Sequence, residues 1–194
     1  MPEKDIAQRL SETKAMLEGH FLLSSGLHSN RYVQCARLLQ FPEHATWAGE
    51  KLAKMLPQMD FDLVVSPAIG GIVIGQEVAK ALGTPHIFVE KENGIPTLRR
   101  GFALSGGEKI LVVEDVVTTG KSTKEVIDVV EKAGGKVVAC CAIVDRGGSE
   151  NIPLPFTALI TLQIELFQPD NCPLCKKGIP LVKPGSRRAG NARR

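Results

Sequence analysis

An α/β fold, with a central, mostly parallel sheet flanked by helices, is predicted by three observations. Five short apolar runs punctuate residues 62–162, and helical stretches separate most of them. The runs are apolar throughout and do not alternate with polar residues, as strands covered on both faces require. A parallel sheet wound by right-handed crossovers follows from that alternation of strands with helices.

The elements follow in order. Ile6, Leu10, Thr13 and Leu17 recur at helical spacing, predicting an amphipathic helix over about 3–18 that ends near Gly19. Phe21-Leu-Leu and Arg31-Tyr-Val-Gln-Cys35 flank a Gly-containing turn and read as a hairpin. Pro42 suits the start of a helix running to about Leu56. The strands are then Asp62–Ser66, His86–Val89, Lys109–Val113, Lys136–Val144 and Ala158–Leu162. Helices fill the stretches to Leu82 and from Gly120 to about Ala133, and a polar loop spans Glu90–Gly101. Residues 1–194 are expected to form one domain. The core sheet lies at about 60–165, and about 1–58 with the C-terminal segment form a small helix and hairpin hood.

Bulk properties set limits. The chain of 194 residues is 43% hydrophobic and 23% charged, an ordinary globular composition. No window approaches the roughly 18 apolar residues of a membrane span, and no signal peptide is visible at the charged N-terminus, so a cytoplasmic protein without membrane partners is expected. The net charge is +3, but from Asp170 onward seven Lys or Arg face one acidic residue, which leaves a slightly acidic body. That body argues against a nucleic-acid partner, which needs a basic face. The basic tail reads as solvated chain with frayed last residues. The five scattered cysteines read as free thiols. Only Cys172-Pro-Leu-Cys175 has metal-ligand spacing. With no second CxxC and no closely spaced His pair, it is expected to be a short turn, and no metal site is assigned.

The most informative stretch is Ile110-Leu-Val-Val-Glu-Asp-Val-Val-Thr-Thr-Gly-Lys-Ser-Thr123. A buried strand delivers two adjacent carboxylates, Glu114 and Asp115, to its C-terminal end, where ligands of open α/β sheets bind. A turn rich in hydroxyls and glycine then opens a helix. Amides at that helix start, with the hydroxyls of Thr118, Thr119, Ser122 and Thr123, make a phosphate cradle. Carboxylates beside such a cradle suit a ligand that presents hydroxyls next to a phosphate, as a ribose 5-phosphate does. Two rivals fail on spacing. A nucleotide-triphosphate P-loop needs Gly where Asp115 stands, and Gly70-Gly71…Gly75 lacks the dinucleotide GxGxxG pattern.

Val112-Val-Glu-Asp-Val-Val-Thr-Thr-Gly120 resembles the phosphoribosyl pyrophosphate (PRPP) signature of the type I phosphoribosyltransferase family. Further segments are similar to its orotate phosphoribosyltransferase branch: Gly19-His-Phe-Leu-Leu-Ser-Ser-Gly-Leu-His-Ser29, Glu90-Lys-Glu92, Thr97-Leu-Arg-Arg-Gly-Phe102, and Cys172-Pro-Leu-Cys175 with Lys183-Pro-Gly-Ser-Arg187. The resemblance covers nearly the whole chain. It implies transfer of ribose 5-phosphate from PRPP to orotate, giving orotidine 5′-phosphate and pyrophosphate in pyrimidine (UMP) biosynthesis, with Mg²⁺ and as a homodimer.

The same resemblance implies the site. Glu114 and Asp115 would hold the ribose hydroxyls, and the run Val116, Val117, Thr118, Thr119, Gly120, Lys121 and Ser122 would bind the rest of PRPP around its 5-phosphate. Thr118 and Arg146 would contact orotate; a planar guanidinium suits a carboxylate or ring carbonyl. Ala68, Ile69, Gly70 and Gly71 correspond to the pyrophosphate loop, whose glycines permit close backbone approach. Lys91 matches a family lysine that contacts PRPP, often across a dimer, and is the catalytic candidate; Arg99 and Arg100 are weaker ones.

The sequence departs from the family pattern at several points. Ile69 and Gly70 stand where many members have an aromatic residue and a lysine, Ser24 replaces an orotate-binding lysine of some relatives, and Lys121 replaces a small residue. Loop 90–101, with Asn93-Gly94 and Gly101 as hinges, reads as a lid that excludes water. The alternatives are a phosphoribosyltransferase for another base and a PRPP-sensing regulator that binds DNA.

Overall fold

A computed structural model describes residues 5–23 and 25–184. The first two residues of the expected N-terminal helix, the hairpin-turn position Ser24 and the tail from Gly185 on lie outside the described residues. The protein divides into two compact units. The first takes the described residues through Ala15 together with Cys35–Gln163; the second takes Met16–Gln34 and the described residues from Ile164 on.

The first unit begins with α1 (Ile6–Glu12), whose N-terminus is capped by the Asp5 carboxylate accepting from the Gln8 amide. The sequence pattern carries this helix to 18, but the chain leaves it five residues earlier. Lys14 takes a left-handed φ of 53°, and the Ala15 amide returns to the Leu10 carbonyl, so buried Ala15 closes the helix end. Leu17, helical by spacing alone, belongs to a strand.

After a short α2 (Ala36–Leu39), Pro42 occupies the first turn of α3 (Pro42–Met55), as its spacing predicts. β3 (Leu63–Pro67), α4 (Gly71–Leu82), β4 (His86–Glu92), β5 (Ile95–Leu98), β6 (Lys109–Val117), α5 (Lys121–Lys132), β7 (Lys136–Asp145) and β8 (Phe156–Thr161) complete the unit. The sheet order is β5-β4-β3-β6-β7-β8, with every pair parallel except the β4–β5 edge.

The centre of the sheet explains its continuous apolar runs. Ile110, Leu111, Val112 and Val113 of β6 are all fully buried, as are Ala142, Ile143 and Val144 of β7. Ile110 and Val112 pack in one cluster with Val126 and Val130 of α5. Truncating one such side chain to Ala costs about 2–5 kcal/mol. The helices α3 and α4 meet at small residues: a Cβ on Gly49 would lie 2.6 Å from the Glu77 backbone, and Thr46 Oγ1 donates to Glu77 at 2.9 Å. The expected boundary near residue 58 is thus corrected, because α1, α2 and α3 belong to the sheet-bearing unit.

A second correction concerns residues 90–101, expected to be an open loop. β4 and β5 form a β-hairpin whose turn residues, Asn93 (φ 51°) and Gly94 (φ 83°), have the paired left-handed geometry of a tight hairpin turn. Its long polar side chains pair across it: Arg100 makes two bonds to Glu90, at 2.9 and 3.2 Å, and Arg99 meets Glu92 at 3.3 Å.

The second unit holds β1 (Met16–Leu22), β2 (His28–Val33) and β9 (Leu166–Phe167) as a small antiparallel sheet, with α6 (Pro173–Lys176) near its end. The predicted hairpin is β1–β2, and the C-terminal segment joins it as expected. Among the described residues, no helix is long and apolar enough to cross a membrane.

Candidate active site

The strand β6 carries Glu114 and Asp115 to the carboxyl end of the sheet. Gly120, at φ 75°, then turns the chain into α5. The first helical bond runs from Lys124 N to Gly120 O, so the amides before it have no carbonyl within the helix. A recess is lined by Glu114, Val116, Val117, Thr118, Thr119, Gly120, Lys121, Ser122 and Thr123. Of the acidic pair, Glu114 lines this recess together with the turn and the start of α5, while the Asp115 carboxylate lies against Gly70.

Burial dominates the electrostatics of that pair. The Glu114 carboxyl is pushed well above the usual range by burial and by the neighbouring Asp115 charge. Burial also raises Asp115. Two adjacent carboxylates in so poorly solvated a place call for hydroxyl donors or a cation to hold their charge. The Cys35 thiol approaches the Asp115 carbonyl at 3.7 Å, and burial followed by the two acids raises it strongly, keeping it a thiol.

Two neighbouring loops complete the site. Residues 67–71 join β3 to α4, with a cis Ala68–Ile69 peptide and an Ile69 side chain that is 84% exposed. Gly70 faces the acids: a Cβ there would lie 2.6 Å from Asp115 Oδ1. Gly71 is also close-packed, with its absent Cβ 3.0 Å from the Val113 carbonyl. These two glycines let the loop backbone pack closely against β6.

The third loop follows β7. The Arg146 amide donates to Val117 O at 2.8 Å, which couples the residue before Thr118 to Arg146. Asp145, buried and passed over by sequence reasoning, builds this turn. Its Oδ1 accepts from the amides of Gly147 (3.0 Å) and Ser149 (3.2 Å), and its Oδ2 accepts from the Ser149 hydroxyl. An Asp followed by Arg-Gly-Gly-Ser was the available signal, since such a carboxylate folds the backbone after it. Gly148 then packs on the cradle, where a Cβ would come within 2.7 Å of the Thr118 carbonyl.

Lys91 does not line the recess. It sits on β4, half exposed, with Nζ 2.8 Å from Glu125 of α5. Arg99 and Arg100 are held by the hairpin's own acids.

Comparisons with known proteins agree with this arrangement. Residues 43–154 match the family model described as a phosphoribosyl transferase domain. The chain is 51% identical over 183 residues to the orotate phosphoribosyltransferase of Thermotoga maritima, covering 94% of this chain and 98% of that one. The chain belongs to the orotate phosphoribosyltransferases. A relative from Caldicellulosiruptor saccharolyticus is 49% identical, covering 97% of this chain and 99% of its own length. Among solved structures, the orotate phosphoribosyltransferase of Aeropyrum pernix superposes with a TM-score of 0.67 at 27% identity, covering 81% of this chain and 94% of that one. The Mycobacterium tuberculosis enzyme in complex with PRPP shares the fold at 24% identity, with a TM-score of 0.65 over 82% of this chain and 97% of that one. Like other orotate phosphoribosyltransferases, this chain is a transferase with the type I phosphoribosyltransferase fold.

Proposed function

We propose that the β6–α5 recess of this orotate phosphoribosyltransferase seats the ribose 5-phosphate of PRPP while the loop after β7 presents orotate to it. The observation that carries this reading is Glu114, followed on the strand by Asp115, lining an amide- and hydroxyl-rich recess at the start of α5. Hydroxyls 2 and 3 of the ribose donate to the carboxylates and supply the hydrogen bonds that burial has denied them. The phosphate accepts from the amides and hydroxyls of 118–122 at the positive end of α5.

Orotate is held by Arg146 and Thr118, which the Arg146–Val117 hydrogen bond keeps in register. The amides of 68–71 face the leaving pyrophosphate. The reaction passes through a transition state with oxocarbenium character, so the chain contributes chiefly position and charge complementarity. The hard oxygen donors of Glu114 and Asp115 fit Mg²⁺ bound together with PRPP. Held by those residues, the ion would supply positive charge to offset that developing on pyrophosphate. Lys91 serves the same leaving group after release from Glu125. Association as a homodimer is supported by the exposed apolar Ile95 at the hairpin turn, and a cytoplasmic setting by the unpaired thiols of Cys35, Cys140 and Cys141.

The test is loss of orotate absorbance that depends on both PRPP and Mg²⁺. R146A should raise KM for orotate roughly tenfold or more while leaving KM for PRPP within about twofold. An R146A enzyme with unchanged orotate KM overturns the assignment.

A further inference from the structure

We propose that His20, His28, Cys172 and Cys175 form a closed, structural zinc site in the second unit. The expected short turn at Cys172–Cys175 is corrected in one respect: the structure supplies two further ligands, from strands about 150 residues earlier. His20 lies on β1, His28 on β2, Cys172 caps α6 and Cys175 is within it. The spacing of three places both thiols on one side of a single helical turn.

The four donor atoms all lie within 4.8 Å of one another. His20 Nε2 is 2.9 Å from His28 Nδ1, 3.4 Å from Cys172 Sγ and 3.7 Å from Cys175 Sγ, and the latter is 3.4 Å from His28 Nδ1. With Zn–N of about 2.0–2.1 Å and Zn–S of about 2.3 Å, a tetrahedron has edges of about 3.3–3.8 Å. The three N–S separations of 3.4, 3.7 and 3.4 Å fall within that range, and the His20–His28 separation of 2.9 Å is shorter than an N–N edge.

Hydrogen bonding alone does not account for the cluster. His20 Nδ1 lies 2.8 Å from the Ile179 carbonyl, which accepts and therefore fixes the proton on Nδ1. The remaining Nε2 has one lone pair, yet three groups converge on it. A cation at their centre satisfies all four donors at once. The carbonyl behind His20 is also the outer-shell partner that metal-bound imidazoles ordinarily have. Two thiolates with two imidazoles in a tetrahedron select zinc over the oxygen-preferring cations. Cys172, His20 and His28 are no more than 5% exposed and Cys175 lies at the surface, and four protein ligands complete the coordination of a structural ion.

The need for such an ion is visible in the unit that holds it. β9 pairs with β2 through two residues only, and the following segment adds the Phe21–Val182 bridge with its two backbone bonds. A module this small buries too little apolar surface to fix a distant chain segment unaided. Joining residues so far apart in sequence through a metal restricts the unfolded chain and ties the C-terminal segment to the hairpin.

The full-length protein, purified without chelator, is expected to contain roughly one zinc per chain by elemental mass spectrometry. Titration of the metal-stripped protein with Co²⁺ should give the intense visible bands and thiolate charge-transfer absorption of tetrahedral coordination. C172S/C175S should hold less than about a tenth of that zinc, H28C should retain it, and C140S, outside the cluster, should match the parent. Because the Co²⁺ spectrum is read on the unsubstituted chain, misfolding of a variant does not obscure the result. A parent protein with neither zinc nor the charge-transfer band overturns the proposal. So does a Cys172–Cys175 disulfide in protein purified without oxidant, or C172S/C175S with full zinc content.

Discussion

The backbone of Gly70 lies against the carboxylate of Asp115, leaving 2.6 Å between Oδ1 and the place a Cβ would take. The loop after β3 and the Asp115 carboxylate at the tip of β6 are thus closely packed. In G70A the carboxylate has to swing away from its position at the strand tip. The expected result is a fall in kcat/KM for PRPP of about 10–100-fold, the loss of one or two charge-assisted hydrogen bonds, with KM for orotate little changed. Steady-state kinetics with each substrate varied separately reads this out.

Glu114 is held as a raised carboxyl by burial and by Asp115. Its folded pKa exceeds the unfolded one, so the folded chain binds more protons between those values, and the fold loses stability as pH rises through that window. E114Q removes the cost. It should melt higher than the parent at neutral pH, by about 2–4 °C per kcal/mol relieved, while its activity falls about 10–100-fold. A variant that is both less stable and fully active contradicts the ribose-binding role.

His86 works in the opposite sense. Burial lowers its imidazole from 6.5 to about 4, with Nε2 2.8 Å from Ser66 Oγ. The unfolded chain then binds more protons between about pH 6.5 and 4, so acidification through that window weakens the fold. Over the same window H86N should lose less stability than the parent, measured as the shift of the urea midpoint.

The Lys91–Glu125 pair is half exposed on the lysine side and contributes little to stability, at most about 1 kcal/mol. K91A should therefore change Tm by no more than about 4 °C. If Lys91 serves the leaving group, kcat nevertheless falls by about a hundredfold, the effect of removing one preorganised donor. E125Q, which frees the lysine, should keep kcat within about twofold of the parent. An unchanged kcat in K91A removes Lys91 from the mechanism.

The β6–α5 cradle was legible in the sequence because all its parts are contiguous: one strand, one turn and one helix start carry Glu114 through Ser122. The core strands were legible for a related reason, since burial on both faces leaves uninterrupted apolar runs such as Ile110–Val113. Elements that depend on partners were not. Glu90–Gly101 reads as polar loop because its cross-strand pairs, Arg100–Glu90 and Arg99–Glu92, are charged. Leu17 fits a helix period and a strand equally well, and only the reversal at Lys14 decides between them. The fit of Gly49 of α3 against Glu77 of α4, within the sheet-bearing unit, has no local signature at all. His20 and His28 meet Cys172 and Cys175 only through chain topology, so spacing rules applied near the CxxC could not find them.

Gly120 and Gly148 are interlocked: a Cβ on the first would lie 2.9 Å from the carbonyl of the second, and a Cβ on the second 2.7 Å from Thr118 O. Neither turn can thicken or be re-routed without displacing the other. Divergence toward a different acceptor ring is thereby confined to exchanging the side chains that point at it. The two turns hold the backbone around the β6–α5 recess as a unit, which sets a boundary for any redesign of acceptor choice on this scaffold.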